Sequence, residues 1–275
     1  MISRPYVIVD VFAEAPLQGN PLAVFPQGSG LDDELMQRTA LELRLSETVF
    51  LLPDEEADAR ARIFTPTAEL PFAGHPVLGA ALVLADRQSR AIRLRTGAGI
   101  VPVTVEQLAD GKAAGELEHA VPSAEPFARA AELLSALGVS ASELPIEAYS
   151  NGPQHVYVAL ASEQEVSRLE PDITALARLG DTVCANCFTV TGTQVKTRMF
   201  APGLGVAEDP ATGSAAGPLV VHLTRHGLVE PGRQIEIRQG EEIGRPSVLR
   251  ARLEGETVFV GGAGFLVAHG EYRLG

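Results

Sequence analysis

Tryptophan is absent from this sequence, and cysteine occurs only twice, at Cys184 and Cys187. A disulfide framework is therefore excluded. The pair matches the C-x-x-C redox spacing as CANC, but it lies inside a strand-like run, VCANCFTV, with no second pair nearby. It reads as two buried small hydrophobes. Basic residues are in the minority, 22 Lys and Arg against 35 Asp and Glu, for a net charge of −13. That balance opposes binding to nucleic acid or to an anionic membrane, since both need a basic footprint. No stretch approaches the roughly 18 apolar residues of a membrane span. The opening segment MISRPYVIVDVFAEAP alternates into Asp10 and lacks a cleavage-site pattern, so it reads as a first strand and the expected location is the cytoplasm. Catalytic signatures are missing too: there is no G-x-S-x-G elbow, no H-E-x-x-H, no Walker loop and no G-x-G-x-x-G. Without metal-ligand clusters either, the sequence predicts cofactor-free and metal-free acid/base chemistry on a small anion.

What is present is a sequence that states one pattern twice. RIFTPTAELPFAGHPVLGAALVLAD begins at Arg62, and RMFAPGLGVAEDPATGSAAGPLVVHLTRHG begins at Arg198. Each runs Arg-x-Phe-x-Pro, an acidic loop, a glycine turn at Gly74 or Gly213, and then small and aliphatic residues. Two copies are too few for a solenoid and predict a duplicated domain instead. With 275 residues, 45% hydrophobic and 21% charged, two globular domains with proper cores are affordable.

Hydrophobic periodicity then places the elements. Strands are expected at Tyr6 to Phe12, Leu22 to Phe25, LSETVFLL and the Arg62 segment, with a helix from Asp33 to Arg44 capped by Asp32. A helix from Pro76 to Asp86 and strands near 92–94, 100–105 and 116–118 close the first half. The helix FARAAELLSALG, stopped by Gly138, marks the boundary between residues 1–121 and 122–275. The second half repeats the order with strand HVYVAL, helix DITALARLG, strands VCANCFTV and VKTRMF, the second glycine turn, and a helix ended by Gly227. Short strands at 234–238, 247–253, 257–260 and 265–268 are expected to complete the second sheet, with the last residues able to pack back on the first domain. SNGPQHVYVAL echoes QGNPLAVF. The predicted fold class is α+β: two similar domains, each a curved, mostly antiparallel sheet or barrel around an apolar helix, with the active site in the cleft between them.

The candidate site follows from the turns. Gly74 and His75 precede a proline at a helix start, and Thr212, Gly213 and Ser214 open another helix. Each turn offers unpaired N–H groups with a helix dipole behind them, which suits a carboxylate without any lysine. Glu47, in LSETVFLL, shares the two-residue register of Leu45, Val49 and Leu51. A carboxylate on that apolar row is poorly solvated, which raises its pKa and fits it for proton exchange. Asp209 and His75 occupy corresponding places in the two copies and could pair as acid and imidazole. His155, His222, His226 and His269 have no comparable setting, His226 being a dipole-compensating residue. Glu69 and Glu208 read as solvated loop acids, with a supporting role as the alternative.

GNPLAVF, LSETVF, FTPTAELPFAGHP, NGPQHV and EDPATGSAAGP, in this order, resemble the PhzF-type phenazine-biosynthesis proteins along essentially the whole chain. The resemblance implies a fold like diaminopimelate epimerase and a homodimer. It implies an isomerase acting on trans-2,3-dihydro-3-hydroxyanthranilic acid, in which Glu47 moves a proton from C3 to C1. His75, Asp209 and Ser214 would bind the substrate, and backbone groups at Gly74 and Gly213 would hold its carboxylate. The epimerases carry a cysteine in each glycine turn; the equivalent places here are Ala73 and Thr212, so two-thiol racemisation is unsupported. Two other readings stay open on the residues alone: an isomerase or epimerase of another small amino or hydroxy acid, and a non-catalytic scaffold that binds a small carboxylate.

Overall fold

The computed structural model describes residues 2–150 and 153–274, so the Asn151 and Gly152 of NGPQHV lie outside the described residues. The chain divides into two compact units, Met1–His119 with Val260–Gly275, and Ala120–Phe259.

The first unit contains β1 (Ile2–Val11), β2 (Asn20–Phe25), α1 (Asp33–Leu43), β3 (Thr48–Leu52), β4 (Ala59–Phe64), β5 (Glu69–Leu70), α2 (Gly74–Ala85), β6 (Arg90–Thr96), β7 (Gly99–Gln107) and β8 (Lys112–Ala120). Its ladders run antiparallel for β1–β2, parallel for β2–β3, antiparallel for β3–β4, parallel for β4–β6, and antiparallel for β6–β7 and β7–β8. The C-terminal strand Thr257–Leu274 pairs with both β8 and β1, which closes eight strands into a barrel. Parallel neighbours cannot be joined by a tight turn, so each needs a crossover. Helix α1 supplies one crossover, and β5 with α2 supplies the other. Helix α2 carries no charged residue and is buried on nearly every side, packing against β1, β2, β3, β4, β6 and β7. A helix that is apolar all round belongs inside a core. Gly79 lets it lie close to the wall: a Cβ there would come within 2.5 Å of Leu22 and 2.8 Å of Val11. Helix α1 is amphipathic and packs outside, placing Met36 and Ala40 against Phe25, Phe50 and Phe64. Asp32 caps it by accepting from the Leu35 N–H at 2.8 Å, and Arg44 ends it in the left-handed region at φ 52°.

The second unit repeats this scheme with β9 (Ser123–Pro126), α3 (Ala130–Leu137), β10 (Glu147–Ser150), β11 (Gln154–Ala159), α4 (Glu163–Ser167), α5 (Ile173–Ala177), β12 (Val183–Thr191), β13 (Gln194–Ala201), β14 (Val206–Asp209), α6 (Gly213–Arg225), β15 (Ile235–Gln239) and β16 (Ser247–Glu254). Here β10–β11 is antiparallel, β11–β12 parallel, β12–β13 antiparallel, β13–β15 parallel and β15–β16 antiparallel. That is the order of directions in the first unit, step for step. The short strands β5 and β14 both pair antiparallel with the strand bearing the repeated arginine, just before each glycine turn. The duplication read in the motifs is thus a duplication of topology.

One expectation changes. The segment 265–268 does not complete the second sheet; it pairs with β1, Phe265 opposite Asp10 and Ala268 opposite Ile8. The glycines of GGAG make this passage possible. A Cβ at Gly261 would meet the Gly115 carbonyl at 2.8 Å, and one at Gly264 would meet the Asp10 carbonyl at 2.8 Å.

Candidate active site

Helices α2 and α6 begin at Gly74 and Gly213, with Ala73 and Thr212 at the matching N-cap positions. Neither cap residue accepts a first-turn N–H with its side chain. Alanine has no group to do so, and the Thr212 hydroxyl is turned away to donate to Asp209 at 2.6 Å. Neither N-cap side chain therefore engages a first-turn amide, and the positive end of a helix dipole stands behind each turn.

Glu47 lies one residue ahead of β3, not on the strand, in the short link from Arg44. Its carboxylate is 15% exposed and stands 3.3 Å from Nδ1 of His75, which is 3% exposed. The first acid within reach of His75 is thus Glu47, from the same unit. Burial pushes the His75 imidazole down to about 3, so it is neutral near pH 7. Its other nitrogen, Nε2, is buried and meets no hydrogen-bond partner among the described residues. An unmet buried polar atom of this kind costs about 1–3 kcal/mol. It is a position that a ligand's polar group would satisfy.

In the second unit Asp209 is 5% exposed, and it accepts from the Thr212 hydroxyl. Gln239 braces this turn: its Nε2 donates to the Asp209 carbonyl at 2.7 Å and to Thr212 Oγ1 at 2.9 Å, and its Oε1 accepts from the Thr212 N–H at 3.3 Å. Ser214, in the first turn of α6, has its Oγ 3.0 Å from Nε2 of His155. His155 is fully buried, and burial pushes it down to about 3. Behind it stands Asn186, whose Nδ2 is 3.4 Å from His155 Nδ1. Sequence reasoning passed over His155, Asn186 and Gln239. The available signal was a polar side chain interrupting an apolar strand, as His155 does before VYVAL.

Glu69 and Glu208 lie on the short strands β5 and β14 and are both paired, Glu69 still 41% exposed to solvent and Glu208 only 12%. Arg62 donates to Glu69 through Nε at 2.8 Å and a terminal nitrogen at 2.6 Å; Arg198 holds Glu208 in the same fork at 2.8 and 2.7 Å. Each guanidinium also lies over the phenylalanine two residues on, Phe64 or Phe200, at 5.1 and 5.0 Å. The repeated Arg-x-Phe and loop glutamate are one device, a bidentate clamp that ties the loop before each turn to the strand that leads into it. Cys184 and Cys187 are both buried and free, with the Cys187 thiol pushed up to about 12 by burial. His222 and His226, one helical turn apart on α6, join Glu147 of β10, their ligand-type atoms lying within 4.8 Å of one another. The same carboxylate accepts from Tyr149 at 2.9 Å and Arg225 at 3.3 Å. With a guanidinium already on Glu147, the cluster is built as a neutralised buried carboxylate and offers a cation little.

No helix among the described residues is long and apolar enough to cross a membrane. The trans-2,3-dihydro-3-hydroxyanthranilate isomerase of Pseudomonas aeruginosa is 50% identical over 277 residues, covering 98% of this chain and 99% of that one. The structure of a predicted epimerase from the same organism superposes with a TM-score of 0.85 at 34% identity, over 98% of this chain and 99% of that one. A probable proline racemase from Agrobacterium radiobacter shares the fold at a TM-score of 0.68 and 13% identity, over 99% of this chain and 93% of that one. The α+β, epimerase-like architecture is therefore shared well beyond recognisable sequence similarity. Residues 9–270 match the family model described as phenazine biosynthesis-like protein, and with both uncapped glycine turns lying inside that span, this chain belongs to that family.

Proposed function

We propose that the chain is a cofactor-free isomerase of trans-2,3-dihydro-3-hydroxyanthranilate, in which Glu47 moves a proton from C3 to C1. The C3–H bond breaks and a C1–H bond forms, so no redox partner is needed. The resulting enol tautomerises to a reactive aminoketone. The observation that carries the reading is the Glu47–His75 pair at the start of an uncapped helix. The name of the half-identical Pseudomonas relative supports the substrate. Gly74, Gly213 and Ser214 hold the substrate carboxylate through the turns, while His75 and Asp209 orient its other polar groups.

Against ionised Glu47, neutral His75 donates from Nδ1, and Nε2 is left as an acceptor for a polar hydrogen of the substrate.

The test is reaction with the dihydro acid in deuterated water. Deuterium should enter the product with wild-type protein, and Glu47→Gln should bind substrate yet lose about 10²–10⁴-fold in kcat, the range of one general acid/base residue. Near-normal turnover by that variant would remove Glu47 from the role. The resemblance further supports a homodimer in the cytoplasm as part of this proposal. Sedimentation at micromolar concentration should give twice the chain mass of 29.0 kDa, and a monomer there would overturn it.

A further inference from the structure

Each unit brings the end of a parallel strand against its own glycine turn. β6 ends at Thr96 and β15 at Gln239, each parallel to the strand that carries the repeated arginine. A glycine follows in both. A Cβ at Gly97 would come within 2.9 Å of Pro71 Cα, and one at Gly240 within 2.6 Å of the Pro210 carbonyl oxygen. The backbone approach is therefore repeated, but the side chains at the two strand ends differ. Thr96 is used within its own hairpin, donating to the Gly99 carbonyl at 3.0 Å and accepting from the Ala98 N–H at 3.2 Å. Gln239, 2% exposed, reaches into the turn ahead of α6 instead.

The bonds of Gln239 fix the direction of the hydrogens around Thr212. The Asp209 carbonyl only accepts and the Thr212 N–H only donates, so the NH₂ group faces the first and Oε1 the second. The other hydrogen of that NH₂ group goes to Thr212 Oγ1 at 2.9 Å. A hydroxyl that accepts from a pure donor must aim its own hydrogen elsewhere, and Thr212 Oγ1 stands 2.6 Å from Asp209 Oδ2. The Thr212 carbonyl in turn accepts from the Ala215 and Ala216 N–H groups at 3.1 and 3.2 Å. One residue thus receives the amide of Gln239, aims at Asp209 and starts α6.

We infer that Gln239 is a positioning residue: by donating to Thr212 Oγ1 it commits the Thr212 hydrogen to Asp209 and sets the facing of the Asp209 carboxylate before a ligand arrives. Thr96 gives the turn of the first unit no such clamp, so the duplicated turns are built to different ends. A carboxylate already held in one direction loses little freedom on binding and keeps the reacting bond in line, an effect that falls on kcat. All of these groups lie in the second unit, on β14, β15 and the start of α6. That Asp209 orients a substrate rests on the function proposed above.

The direct measurement is neutron diffraction from deuterium-exchanged crystals of the wild-type protein. The expected result is a deuterium on Thr212 Oγ1 aimed at Asp209 Oδ2; one aimed at Gln239 overturns the inference. Turnover of the dihydro acid provides the functional arm. Gln239→Met, which keeps the length without a donor, should lower kcat about tenfold and leave KM within about threefold. In a Thr212→Val background, which has no hydroxyl to aim, Gln239→Met should add less than about twofold, since its effect passes through that hydroxyl. Equal losses in both backgrounds would mean that Gln239 only braces the backbone and would sink the idea, as would an unchanged kcat. If Gln239→Met fails to fold, the neutron map decides the matter. A wild-type protein with the expected hydrogen direction that never converts the dihydro acid would refute the isomerase and leave the link from Gln239 to Asp209 standing.

Discussion

Burial holds the imidazoles of His75 and His155 at about 3 and that of His222 at about 4. In the unfolded chain they titrate near about 6.5. Between those values the unfolded state binds the extra protons, so stability is fully present above about pH 6.5 and falls as pH falls. Each ring contributes a slope of up to about 1.4 kcal/mol per pH unit in that window. Urea unfolding from pH 7.5 to 5 should show this decline, and His155→Gln should flatten it by one ring's share. An unchanged slope in that variant would mean that His155 binds its proton alike in the folded and unfolded chain. At this scale the motifs that nominate Glu47, His75, Asp209 and the two glycines were legible, because they are local. Glu47 facing His75 was not, since 28 residues of chain separate them and only the barrel brings them to 3.3 Å.

Among the elements, the Arg-x-Phe strands show how one motif can serve two environments. Arg198 and Glu208 are 9% and 12% exposed, and Arg198 also donates to the Leu169 carbonyl at 2.7 Å. Around Arg62, Glu69 is 41% exposed and Asp33 84%. Breaking the buried clamp strands a desolvated carboxylate, whereas breaking the exposed one leaves its acids to water. Arg198→Met is therefore expected to cost about 3 kcal/mol, and Arg62→Met about 1 kcal/mol or less. Equilibrium urea denaturation checks the order, and equal losses would contradict it. The sequence showed that the arginines recur and that acids follow them. It did not show that the acids turn back onto the strand, because loop acids and clamped acids share the same local pattern.

On the scale of the whole molecule, the first unit depends on the far end of the chain. Its barrel is closed by the C-terminal strand, which pairs with β1 over ten register positions from Ile2 to Val11 and with β8 on its other side. A chain ended at Phe259 should lose amide protection in β1 and β8, whose edges are then open, while β11–β13 of the second unit stay protected. Hydrogen exchange read by mass spectrometry would show this. Full protection of β1 in the shortened chain would mean that the seven remaining strands close without it.

The amino-acid sequence by itself determined the duplicated α+β plan, the apolar helices α2 and α6, the glycine turns and the absence of thiols from them. All of these rest on periodicity and on residue type at short spacing. Tertiary structure alone decided that the last strand belongs to the first unit, that Glu47 meets His75, that Arg198 clamps Glu208, and that His155 stands between Asn186 and Ser214. Each of those depends on strands paired across long stretches of chain, where direction and register place a polar atom within about 3 Å of its partner.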